Sequence, residues 1–194
     1  MYREIKEKNI ECIQTMLQLG IAHGGLLRKS WRYILECISK INYYFNEYSP
    51  GHEGEGDNSE AAKKKDALMQ SVSEVIKANV DLNVVNYIYS RSNTFSLEEI
   101  KDFITCLCQI SEEELKSSHG PSTYSLQKIV EVAHFNVDRV KFVWSQIWNI
   151  MKEHIIVAAI HSTKEISFFA VDSLKQLSIK FLIVRTFTIN YIKI

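Results

Sequence analysis

Apolar positions recur at spacings of three and four along most of this chain, the signature of helices that bury one side. Ile5, Ile10, Ile13, Met16, Leu17 and Leu19 form a first stripe over 3–19 that is expected to end near Gly20. Gly24-Gly25 reads as a break, because paired glycines carry a large backbone entropy cost in a helix. Leu27, Trp31, Ile34, Leu35, Ile38 and Ile41 predict a second helix over 26–47, and two helices joined so closely usually lie antiparallel. Residues 49–60, SPGHEGEGDNSE, contain no apolar side chain and read as a linker. Patterning resumes with Leu68, Val72, Val75 and Ile76, then with Leu82, Val84, Val85, Ile88 and Tyr89.

Capping residues place the later boundaries. Ser96 and Glu99 form a capping box, each satisfying the other's free backbone N–H, ahead of Ile100, Phe103, Ile104 and Leu107. Ser111 and Glu114 repeat the signal and predict a separate short helix through Leu115, closed before Pro121. Leu126, Ile129, Val130 and Ala133 mark the next stripe. Asp138 is then predicted as the N-cap of a helix reaching about Ala159, with Val137 stapled onto Phe142. A last helix over 164–182 places Ile166, Ala170, Leu174, Leu177 and Phe181 on one side. No βαβ alternation occurs, so the fold class is all-α.

Sequential helices of this length without a central cofactor motif point to stacked antiparallel hairpins, an armadillo- or HEAT-like superhelix. No exact internal repeat is present, and a compact bundle is the alternative. The expected organisation is a helical hairpin over 1–48, a polar linker over 49–66, a helical-repeat region over 67–182 and a tail over 183–194. That tail, IVRTFTINYIKI, is β-branched, aromatic and free of acids, and is expected to be irregular or a stray strand.

Composition narrows the function. Lys+Arg and Asp+Glu are equal at 23 each, so no global basic field attracts nucleic acid or anionic lipid. Four cysteines and a start, MYREIKEKNI, without an apolar leader point to reduced thiols in a soluble cytosolic protein. The run of aliphatic residues from Ile155 to Ile160 is far shorter than the ~20 residues of a membrane span. There is no GxGxxG, GxxxxGK[ST], GxSxG or HExxH. Cys106 and Cys108 lie two apart and point to different sides of a helix, and the histidines at 23, 52, 119, 134, 154 and 161 are scattered. Lys63 to Lys65 read as a solvated helix start. Glu98-Glu99 and Glu112 to Glu114 read as helix starts too, where carboxylates suit the positive dipole end. Trp144 and Trp148 read as core packing. No enzyme activity, metal site or cofactor is expected.

Longer stretches carry a resemblance. Residues 125–136 (SLQKIVEVAHFN), Asp138-Arg139-Val140, residues 143–148 (VWSQIW) and 170–182 (AVDSLKQLSIKFL) are similar to the region named homology downstream of Sec-seven. That region belongs to the large, brefeldin-A-inhibited type of Arf guanine-nucleotide exchange factor. Ser30-Trp31, Ile34-Leu35, Cys37-Ile38-Ser39 and residues 103–115 resemble its earlier segments, whereas 183–194 resemble none of it.

The resemblance implies a regulatory role. In the family, exchange belongs to a preceding domain, whose glutamate lies in a phenylalanine-arginine-leucine-proline-glycine-glutamate loop. Neither Pro50 nor Pro121 lies in such a loop, so no catalytic, cofactor or metal residue carries over. The expectation is a non-catalytic scaffold segment of a Golgi vesicle-trafficking factor, a fragment of a much larger protein. It would be cytoplasmic and peripheral to Golgi membranes, binding an Arf-type small GTPase or other parts of the parent chain. Nucleic acid and small-molecule substrates are not expected. A free-standing helical-repeat adaptor is the alternative. Asp138, Arg139, Asp172, Ser173 and Gln176 are the candidate residues, serving interaction or hairpin packing.

Overall fold

The computed structural model describes residues 5–46, 60–117 and 120–192, and every regular element among them is helical. The elements are α1 (Glu7–Leu27), α2 (Trp31–Asn46), α3 (Glu60–Asn79), α4 (Leu82–Ser90), α5 (Leu97–Leu115), α6 (Tyr124–Asn136), α7 (Lys141–Ala159) and α8 (Lys164–Ile192). They stack in two rows. One row runs α2, α5, α7 and the other α1, α4, α6, α8, while α1·α2, α5·α6 and α7·α8 pack across the rows and α3 lies on α2. A single apolar cluster extends from Leu17 to Leu177, with Ile100, Phe103, Ile104 and Leu107 of α5 at its centre. Each such fully buried side chain contributes about 1.5–3 kcal/mol relative to exposure.

The Gly24-Gly25 pair bends a helix instead of ending it. α1 continues to Leu27 with a kink at His23, where φ is −129° and ψ is 22°. The kink leaves the Gly24 carbonyl to accept the indole N–H of fully buried Trp31 at 2.9 Å. Trp31 stands edge-on to Phe103, ring centres 4.7 Å apart. A Cβ on Gly24 would lie 2.9 Å from Trp31 Cζ2 and 3.0 Å from Phe95 Cζ, so glycine is needed for the close approach.

The capping box forms: Ser96 N–H donates to Glu99 Oε2 at 2.7 Å, and Glu99 N–H donates to Ser96 Oγ. The predicted second box does not. α5 runs unbroken to Leu115, because its buried stripe continues through Ile110, and Ser111 is itself buried. Glu112 to Glu114 therefore stand at a helix end, where the dipole is unfavourable and cationic partners compensate. Glu112 pairs with Lys116, and Glu113 with Arg32 at 2.7 Å.

Two further boundaries differ. α3 begins at Glu60, inside the stretch read as linker; residues 47–59 lie outside the described residues. α8 stays helical to Ile192, past Leu182, where an irregular tail or strand was expected.

Candidate interaction surface at the α6–α7 turn

The candidate residues Asp138 and Arg139 sit in the turn between α6 and α7, and the turn has two sides. Its inner side is a clasp. Asn136 is fully buried, and its Nδ2–H group donates to Ser92 Oγ at 2.9 Å and to the Val132 carbonyl at 2.8 Å. The Arg139 guanidinium donates to the Phe95 carbonyl, tying the turn to the segment ahead of α5. Burial lowers the Arg139 pKa from its ordinary value. Val137 is buried here, so it does not staple onto Phe142, which points to solvent. Asp138 does not cap α7 either: the N-cap position is Val140, which has no capping side chain.

The outer side is open. Phe135, Asp138, Val140, Lys141 and Phe142 are all exposed, with Val140 at 69% and Phe142 at 66%. Apolar side chains interleaved with one acid and one base can supply desolvation energy together with charge-based orientation to a protein partner.

The remaining candidates lie on α8 and do not join this turn. Asp172 and Gln176 are exposed, and Gln176 Nε2–H donates to Asp172 Oδ2 at 2.6 Å, one helical turn apart. Ser173, next to Asp172 in the chain, is instead turned inward and buried. Trp144 is buried and stacks between Trp148 and Phe181, at 6.0 and 5.8 Å between ring centres, as packing requires.

Several polar junctions carried no local sequence signal, since their partners are distant along the chain. Glu114 joins three helices: Ser39 Oγ–H of α2 donates to its carboxylate, as do Ser125 N–H at 2.8 Å and Ser125 Oγ–H at 2.7 Å from α6. Burial raises the Glu114 pKa, and these donors pull it back. A cleft of about 360 Å³ adjoins it, where Glu36 pairs with Lys40 and Glu113 with Arg32. Lys128 is buried over the rings of Tyr89 and Tyr124 and donates to Asn86 Oδ1 and Glu131. His154 bonds Ser111 Oγ at 2.9 Å. Burial pushes the Cys108 thiol up to about 12. Among the described residues, no cluster of His, Cys, Asp and Glu could hold a metal ion, and no helix is long and apolar enough to cross a membrane.

Two rows of packed helices define an all-α helical-repeat protein. No protein-family model matches the chain. Individual relatives do. Brefeldin A-inhibited guanine nucleotide-exchange protein 3 of Arabidopsis thaliana is 30% identical over 227 aligned residues, covering 92% of this chain and 13% of that protein. Brefeldin A-inhibited guanine nucleotide-exchange protein 1 of Homo sapiens is 31% identical over 207 residues, covering 92% of this chain and 11% of that protein. The chain is thus homologous to one segment of the brefeldin A-inhibited guanine nucleotide-exchange proteins, and it spans about an eighth of their length. The 227 aligned positions exceed the chain's 194 residues, so the plant relative carries residues with no counterpart here.

Proposed function

We propose that this chain is a non-catalytic scaffold segment of an Arf guanine-nucleotide exchange factor working at Golgi membranes, and that the exposed side of the α6–α7 turn receives an Arf-type small GTPase. The observation that carries the reading is the match to named exchange proteins over 92% of the chain. Supporting it, polar residues in the matched stretch serve helix packing: Asn136, Arg139, Lys128 and Glu114 bond other elements. That leaves Asp138, Val140 and Phe142 facing outward on a rigidly held turn. A surface presented this way loses little freedom when a partner docks.

The test is retention of a purified Arf-type GTPase, loaded with GTP analogue or GDP, on the immobilised chain. The GTP form should be retained preferentially. Asp138→Lys combined with Phe142→Ser should reduce retention without shifting Tm by more than about 2 °C, as befits surface changes. Arg139→Ala should instead lower Tm, since it breaks the clasp to Phe95. Retention of neither nucleotide form, or equal retention of both, would remove the GTPase from the reading and favour the free-standing adaptor.

A further inference from the structure

The clasp beneath the α6–α7 turn has two rungs of matching spacing. Asn136 and Arg139, three residues apart, reach Ser92 and Phe95, also three apart. Asn136 Nδ2–H donates to Ser92 Oγ at 2.9 Å, and the Arg139 guanidinium donates to the Phe95 carbonyl. Each of the two side chains keeps one further polar atom that is shut off from solvent and has no hydrogen-bond partner among the described residues. They are Oδ1 of Asn136 and Nη1 of Arg139. Their chemistry is opposite, since an amide oxygen only accepts and a guanidinium nitrogen only donates.

Asn136 gains nothing by turning its amide over. Nδ2 also donates to the Val132 carbonyl at 2.8 Å, and a flipped amide would set oxygen against oxygen there. The orphaned acceptor is therefore Oδ1, on a side chain that is fully buried. Native interiors rarely leave such an atom unbonded.

Whatever completes the clasp has to donate to Oδ1 and accept from Nη1–H in an enclosed space. A carboxylate or a phosphate brings no donor, and an ammonium brings no acceptor. Water brings both, and buried waters sit where two to four polar groups converge. The Phe95 carbonyl, which has a second lone pair, supplies a third partner on the same rung.

We propose that one water molecule is built into the α6–α7 turn, donating to Asn136 Oδ1 and accepting from Arg139 Nη1–H. It joins the two rungs, so that Ser92, Asn136, the water, Arg139 and Phe95 form one hydrogen-bonded loop. The site lies under the turn and does not depend on what docks on the outer side. A water held this way leaves only when the turn lifts off the segment ahead of α5.

The test uses the whole chain. In solution, the Asn136 Nδ2 protons should show a nuclear Overhauser effect to water with the sign of a molecule that tumbles with the protein. A high-resolution crystal structure should show one oxygen within about 2.7–3.2 Å of both Asn136 Oδ1 and Arg139 Nη1. Oxygen-17 relaxation dispersion counts long-held waters, and Asn136→Leu, which removes the acceptor at similar volume, should lower that count by one. The two wild-type measurements decide the matter if Asn136→Leu does not fold. Direct contact between Oδ1 and Nη1 in the crystal would overturn the proposal. So would a missing water signal at Asn136, or an undiminished count in a folded Asn136→Leu chain.

Discussion

His154 shows how burial turns a side chain into a pH-dependent element. Its ring lies between α7 and α5 with Ser111 as partner, and burial lowers its pKa below the ordinary histidine value, with Glu112 opposing weakly. Below about pH 6.5 the unfolded chain takes up this proton while the folded chain resists it. The unfolded state then binds more protons, so stability is fully present above that pH and is lost as pH falls toward the folded value. His134 shares this direction, while Glu114, raised by burial, acts with the opposite sign. His154→Asn keeps a neutral partner for Ser111 and should flatten the loss of urea-measured stability between neutral and mildly acidic pH, relative to wild type. An unchanged slope would show that other groups set it. Sequence alone placed His154 among scattered histidines, because Ser111 lies 43 positions away.

At the scale of elements, the kink in α1 is the sharpest case. A methyl group on Gly24 meets the rigid edge of Trp31, which cannot turn aside while Phe103 and Phe95 enclose it. Gly24→Ala should cost roughly 1–3 kcal/mol in chemical denaturation, the range for overpacking a filled core. Gly25→Ala should cost less, since its nearest neighbour is the end of the flexible Glu99 side chain. Local chemistry made some boundaries legible: Ser96 and Glu99 cap α5 just as their spacing implies. Elsewhere tertiary packing overrode it. Ser111 and Asp138 have the side chains of N-caps, yet the first is drawn into the core beside His154 and the second stays in solvent. The glycine pair looked like an end because its true role, admitting an indole, exists only after α2 folds back.

For the whole molecule, the two-row arrangement makes α5 a neighbour of α1, α2, α6 and α7 at once. Repeat stacks can unfold piecemeal when their layers touch only in sequence. Here one core joins the ends through α5, so unfolding should be a single transition. Fluorescence of a chain retaining only Trp31 should report the same urea midpoint as one retaining only Trp144 and Trp148. Separated midpoints would mean that the amino-terminal helices melt independently. The all-helical class and the stripes were legible from periodicity. The pairing of rows was not, because it depends on which stripes meet across some forty residues or more. For the same reason the five candidate residues looked like one group and fall in three places: the turn, and an exposed and a buried part of the α8 surface.

The carboxylate of Glu114 has a consequence for how such a chain can drift. Ser39 and Ser125 both lean on it from separate helices. An alanine at either serine strands part of a half-buried carboxylate, and an apolar residue at 114 strands two hydroxyls and the Ser125 backbone N–H. The three positions are therefore coupled: a change at any one alters what the other two can bond.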